Sequence, residues 1–358
     1  MRNKKRIEWI DLARGIAIVA VVIGHSLGKY FPGYFGNFIF AFHMPIFFVL
    51  SGYLYKRKSK IFLLKNSFLN LLIPYLTTIL IELGLLLFYR IFPNSIIAPS
   101  KTSSVKEFLI SSIYASGGTV QVPYFNTTLM PIGALWFLVA MFFATQIFNL
   151  VMTIPFKEEI ELKRSIIFLS LAFIGTYSVK LVFLPFSIQP ALLAQVFLYF
   201  GYLIKQYNIM KYINSWINIG ILILWLIDAR YNLFAFEGAS ANHIVFAVVI
   251  GCCSSLSVMF FCQCLSQIAH GSNFNRILIF WGKGSLLMLC FHLVDLDFVQ
   301  LWPMVISIFV PFSYLLAIVI GMIYRVVFAS FWTYLIPRLP ILKSLYDNRD
   351  HPIKKIFQ

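Results

Sequence analysis

Apolar residues fall along this chain in blocks of about 20, the length a helix needs to cross a hydrocarbon core of roughly 30 Å. Blocks near residues 9–28, 36–55, 67–92, 132–154, 165–185, 188–204, 213–229, 243–267, 276–296 and 311–335 tile almost the whole sequence. The pattern predicts an all-α, polytopic integral membrane protein of about ten transmembrane helices. A single membrane domain over residues 1–358 is the economical reading, with the bundle over 9–335 and a short tail at 336–358. No internal repeat of the kind that marks transporters is visible.

Composition sharpens the class. Hydrophobic residues make up 60% and charged ones only 12%, against roughly 25% charged in soluble domains, which excludes an ordinary water-soluble enzyme. A net charge of +16 matters through its placement. With the N-terminus in the cytoplasm, 21 Lys and Arg fall on that side and 5 on the other, while Arg14, Lys180 and Arg325 lie within spans. That asymmetry predicts cytoplasmic termini and an even number of spans in a bacterial inner membrane, with membrane lipids rather than nucleic acid facing the basic residues. Arg2 to Arg6 followed by an apolar run resembles a signal-peptide start. Asp11 and Arg14 interrupt that run and no small-x-small site ends it, so a retained first span is expected. The five cysteines (Cys252, Cys253, Cys262, Cys264, Cys290) sit in apolar stretches without a CxxC motif and read as packing residues, not as a disulfide framework or metal site. The longest connection, 93–131, is rich in Ser, Thr, Pro and Gly. On this topology it is extracytoplasmic, either a lid or acceptor-binding loop or a tolerated insertion. It contains the sequon Asn126-Thr127-Thr128, a short pattern that by itself says little.

Candidate chemistry concentrates in the first span, EWIDLARGIAIVAVVIGHS. Ionisable groups inside a membrane are costly and mark function by default. The eleven residues from Arg14 to His25 turn a helix about 20° beyond three full turns over a rise of roughly 16 Å, and Asp11 lies about 40° to the other side of His25. One polar stripe therefore runs from the cytoplasmic end deep into the membrane. The plainer alternative is an Asp11–Arg14 pair at one interface and His25 anchored at the other. Placed by topology, His43, Glu82, Trp136 and His292 with Asp295 reach the depth of His25. A carboxylate beside an imidazole orients it and raises its basicity, as a base removing a sugar hydroxyl proton requires. His25 is the candidate base, with Glu82 or Asp11 as orienter. His43 and His292 are candidate substrate-binding residues or interfacial hydrogen-bonding groups, and Trp136 a substrate-binding or aromatic-belt residue. Lys56, Arg57, Lys58, Lys60 and Lys65 form the densest basic cluster. With Arg14, part of it would attract the phosphates of a nucleotide-like donor, and the rest records orientation. No Gly-rich phosphate loop, GxSxG elbow or HExxH motif is present.

These segments resemble the acyltransferase 3 family of membrane acyltransferases: RIEWIDLARGIAIVAVVIGHS at 6–26, FHMPIFFVLSGYLYKRK at 42–58, LIPYL at 72–76, GALWFLVAMF at 133–142 and SLLMLCFH at 285–292. The combination of EWID with FHMPIFF is most similar to the branch related to fucose O-acetylases and other bacterial surface-sugar O-acetyltransferases. The resemblance implies a ten-span core that moves an acetyl group from cytoplasmic acetyl-CoA to a hydroxyl of an exported glycan, with no metal. His25 then corresponds to the family's essential histidine and Arg14 to its paired arginine. Where the family tends to carry arginines before the proline of the third span, this chain has Lys65, Asn66 and Asn70. The chain ends soon after the last span, so no appended hydrolase domain is expected. The rival class is a transporter or flippase of a lipid-linked glycan, in which the same charges would line a substrate path.

Overall fold

The computed structural model describes residues 7–27, 33–93, 95–122, 127–156, 158–348 and 352. The basic N-terminus Arg2 to Arg6, Lys29 and Asn126 of the sequon lie outside the described residues. The structure is helical almost throughout, in line with the apolar blocks. The bundle consists of α1 (Glu8–Leu27), α2 (Gly33–Phe40), α3 (Pro45–Tyr53), α4 (Lys60–Ser67), α5 (Ile73–Ile91), α6 (Val105–Tyr114), α7 (Trp136–Met152), α8 (Ile160–Ser178), α9 (Ile188–Gln206), α10 (Ser215–Tyr231), α11 (Ile244–Ile268), α12 (Asn273–Lys283), α13 (Ser285–Phe298), α14 (Leu301–Phe309), α15 (Tyr314–Leu335) and α16 (Pro340–Tyr346). Two short antiparallel ribbons, 120–122 with 127–129 and 234–235 with 240–241, ornament the connections. Helix starts follow capping chemistry: Ser59, Ser104, Asn214, Ser272 and Ser313 each accept a hydrogen bond from a backbone N–H three residues on, satisfying an otherwise orphaned donor.

Among the described residues, seven helical segments are long and apolar enough to cross a membrane, and an eighth if the α12–α13 pair, bent by 76°, forms one span. All ten apolar blocks are helical, but α8 and α10 fall outside this set. The N-terminal turns of α8 carry Glu161, Lys163 and Arg164, and α10 has only 17 residues. Expected spans 36–55 and 276–296 are each two helices, broken at the turn before Pro45 and at Gly284. The close helix crossings use glycines. A Cβ on Gly52 would run into the Leu198 carbonyl, one on Gly201 into that of Val49, and one on Gly282 into that of Asp11. Small residues that let backbones touch are how membrane helices associate without a hydrophobic driving force. These crossings fix α3 against α9 and α1 against α12. α1 is therefore a central, packed helix, and the two ends of its polar stripe meet different neighbours.

Candidate active site

At the end of α1 that carries His25, two other histidines converge. The His25 ring lies 5.7 Å from that of His292, nearly parallel, and 6.5 Å from that of His43, edge-on. Nδ1 of His43 is 3.0 Å from the Ile39 carbonyl, and Nδ1 of His292 is 3.0 Å from the Met288 carbonyl, each one helical turn back. A carbonyl only accepts, so in both rings Nδ1 carries the hydrogen and Nε2 keeps its lone pair. Nε2 of His292 is buried and without a hydrogen-bond partner. Sequence reasoning thus named three residues that the fold brings together.

The expected orienters of His25 are elsewhere. Asp11 lies fourteen residues from His25 on one continuous helix, a rise of roughly 21 Å, and sits 4.0 Å from Arg14 instead. The predicted stripe exists, but its acid and its imidazole do not meet. Glu82, on α5, is fully buried and faces a different group: it lines a small pocket with Lys101, Ser111 and Asp297. Lys101 Nζ bridges both oxygens of Asp297, at 2.6 and 2.8 Å. What holds the His25 end of α1 is Arg325 on α15. It donates from Nε to Asp295 at 3.0 Å and from a terminal nitrogen to the His25 carbonyl at 3.3 Å and to Ser26 Oγ at 3.4 Å. Tyr324 donates to the other Asp295 oxygen at 2.7 Å. A cation near the C-terminus of a helix is favoured by the partial negative charge of its last carbonyls, and here it bonds that of His25. Lys101 and Arg325 are the cations near enough to act on the His25 ring electrostatically.

Toward the other end of the stripe lies a cavity of about 360 Å³. Arg14, Lys58, Asn66, Asn70 and Thr145 are among its polar lining residues, and Met44, Phe47, Phe137, Met141 and Leu289 among its apolar ones. Met44 follows His43 in sequence and Leu289 precedes His292 by one turn, so the apolar lining comes in part from the same segments that carry these two histidines, although no histidine lines the cavity. Lys58 is held there by Asn149, whose side chain accepts from the Lys58 N–H at 3.3 Å and donates to the Lys58 carbonyl at 3.1 Å. Asn70 lies in a five-residue π-helical turn, Phe68–Leu72, between α4 and α5. Such turns recur at functional sites because they displace side chains from α-helical register. Of the basic residues expected to meet a donor, Arg14 and Lys58 line the cavity, whereas Lys56, Arg57 and Lys65 are exposed and do not. Trp136 lines neither cavity. It is buried, stacks on Phe236 at 5.8 Å and packs against Gly117.

Sequence reasoning missed Asp297, Lys101, Ser111 and Asn149 as site residues and left Arg325 unassigned. Two carboxylates in the apolar run LVDLDF and a lone arginine in the last span were available as signals, since each is costly in a membrane. Lys101, in a polar connection, gave no signal. The connection at 96–100 delivers it by pairing along the end of α13 through an isolated bridge between Ile97 and Val299: Ala98 N–H donates to the Phe298 carbonyl at 2.9 Å and Ser100 N–H to that of Asp297 at 2.8 Å. Among the described residues, no group of three His, Cys, Asp or Glu side chains is disposed to hold a metal ion.

Comparison with curated proteins and with solved structures found no match. A family model described as an acyltransferase domain matches residues 7–338, which include every residue of the histidine cluster and of both cavities. The chain belongs to the acyltransferase 3 family of membrane acyltransferases.

Proposed function

We propose that this protein is an O-acetyltransferase that takes an acetyl group from cytoplasmic acetyl-CoA and delivers it to a hydroxyl of a cell-surface or exported glycan. The protein sits in a bacterial inner membrane as a single ten-span domain with both termini in the cytoplasm. The observation that carries the reading is the layout along α1: a cavity lined by Arg14 and Lys58 at one end of the helix, and a cluster of His25, His43 and His292 at the other. Cations and amides at one end suit the phosphates of a nucleotide donor, and imidazoles at the other suit hydroxyl chemistry. The thioester reaches through the apolar part of the cavity, where water is excluded.

His25 removes the proton from the acceptor hydroxyl as its oxygen attacks the thioester carbonyl. Collapse of the tetrahedral adduct breaks the carbon–sulfur bond, and the departing thiolate takes the proton that His25 holds. The new ester is released with the acceptor, and free CoA returns to the cytoplasmic side. Lys101 and Arg325 place positive charge beside the site where the carbonyl oxygen gains negative charge. Holding both reactants in one dry channel converts the transfer into an effectively unimolecular step.

The test is mass spectrometry of surface polysaccharide from cells carrying the intact gene, a deletion, or His25→Ala at equal expression. An acetyl increment of about 42 Da present with the intact gene and missing in both others is the expected result. Unchanged glycan mass with less glycan at the surface would replace this reading with a transporter or flippase.

A further inference from the structure

The histidine end of the site is short of hydrogen-bond donors. Buried polar groups in folded proteins are almost always paired, so an unpaired one calls for a missing partner. Here Nε2 of His292 and Oε1 of Glu82 are both buried acceptors without a donor, and Ser111 Oγ is also unpaired. Glu82 and Ser111 are 1% and 2% exposed. Both line the partly open pocket closed by Pro99, Lys101, Pro131 and Asp297, whose free space is about 20 Å³. A water-sized group needs roughly 10–15 Å³, so the pocket admits one oxygen and its hydrogen and nothing larger.

Charge adds a second argument. Glu82 and Asp297 line the same pocket, and Lys101 is the cation in that lining. Lys101 spends two contacts on Asp297, so a third N–H remains to give to a visiting oxygen. Gly133, at φ +62°, backs this pair. A Cβ there would lie 2.6 Å from Leu293 Cδ2 and within 3.6 Å of Lys101 Nζ and the Asp297 carboxylate, so the backing wall leaves no room for a side chain. The pocket therefore offers one acceptor in Glu82, one amphoteric hydroxyl in Ser111 and one donor in Lys101, which is the complement of an alcohol.

We infer that this pocket is the docking point for a hydroxyl of the acceptor other than the one acylated, with Glu82 accepting its hydrogen bond and Lys101 and Ser111 completing the contact. The inference rests on the acyl-transfer reading above and adds a selection rule to it. The acceptor is a polyol that presents at least two hydroxyls, one to His25 and one to Glu82, and Glu82 is a specificity residue rather than the orienter of His25. Sites built to bond a hydroxyl reject analogues that lack it, because the buried partner is then left unpaired.

The experiment uses the full-length protein in proteoliposomes, radiolabelled acetyl-CoA, and surface polysaccharide of the source organism stripped of its esters with mild alkali. Glu82→Leu removes the acceptor. It is expected to raise the KM for polysaccharide about 10- to 100-fold while the KM for acetyl-CoA moves less than about twofold. Glu82→Gln, which keeps an oxygen in place, is expected to recover most of the loss, and it guards against a folding defect in the leucine variant. An unchanged polysaccharide KM in Glu82→Leu overturns the inference, as does an equal rise in both KM values. If the wild-type protein transfers no label to this polysaccharide, the acyl-transfer reading itself falls, and the docking site falls with it.

Discussion

Replacing Arg325 with methionine tests whether the buried ion pair behind His25 holds the site together. The two side chains are 5% and 0% exposed, and Nε of Arg325 is 3.0 Å from the Asp295 carboxylate. Removing the guanidinium leaves that carboxylate with the Tyr324 hydroxyl at 2.7 Å as its remaining bond. Breaking a buried pair by deleting one partner costs about 3–5 kcal/mol, because an uncompensated charge stays buried. The double variant Arg325→Met with Asp295→Leu removes that charge, and replacing both partners by apolar groups is often close to neutral. It still loses the bonds to the His25 carbonyl and Ser26 Oγ, worth about 0.5–1.5 kcal/mol each. Unfolding in mixed micelles with increasing SDS, followed by tryptophan fluorescence, is therefore expected to order the proteins as wild type, double variant, single variant. A single variant that loses less than about 1 kcal/mol, or a double variant no more stable than the single, would refute the reasoning.

Two further outcomes follow from the ends of the molecule. Lys58→Ala and Asn70→Ala, which alter the polar lining of the larger cavity, are expected to raise the KM for acetyl-CoA about 3- to 30-fold each, whereas Lys56→Ala, on an exposed side chain outside that lining, leaves it unchanged; the transfer assay in proteoliposomes reads this directly. Glu237 lies in the connection between α10 and α11, and burial holds its carboxyl above the usual glutamate value of 4.5. The folded state then binds a proton that the unfolded state has released, so the contribution of this group to stability is full below pH 4.5 and is lost as pH rises through the elevated folded value. Glu237→Gln should flatten the fall in SDS resistance over that interval.

Helices were legible because apolar periodicity is a property of the chain itself, and every expected block is helical. What the blocks could not reveal was how each helix ends and bends. The break at Gly284 and the turn before Pro45 sit inside continuous apolar runs, where hydropathy is blind to backbone direction. At the site, His25, His43 and His292 were legible because an imidazole in an apolar segment is costly and topology sets its depth. Depth does not set azimuth. Asp11 shares a helical face with His25 yet lies roughly 21 Å from it along the axis, and Glu82 lines a pocket with Lys101 instead. Lys101 was invisible for the opposite reason, since a lysine in a polar connection reads as a surface residue until backbone bonds to the end of α13 carry it to Asp297, 196 positions away in the chain.

α1 ties the two halves of the proposed reaction together. Its Arg14 end faces a lining that donates hydrogen bonds through guanidinium, ammonium and amide groups. Its His25 end faces groups that accept them, the Nε2 lone pairs of His43 and His292. Phosphates only accept and hydroxyls can donate, so the two ends are matched to different substrates by chemistry alone. The distance between them is fixed by eleven residues of unbroken helix, roughly 16 Å. The helix cannot slide, because Gly15 and Gly282 lock it against α12 at one end and Arg325 bonds the His25 carbonyl and the Ser26 hydroxyl at the other. An enzyme that must join a donor and an acceptor entering from opposite faces of a membrane needs such a ruler. In this fold the ruler is one helix, anchored at one end by glycine packing against α12 and at the other by Arg325.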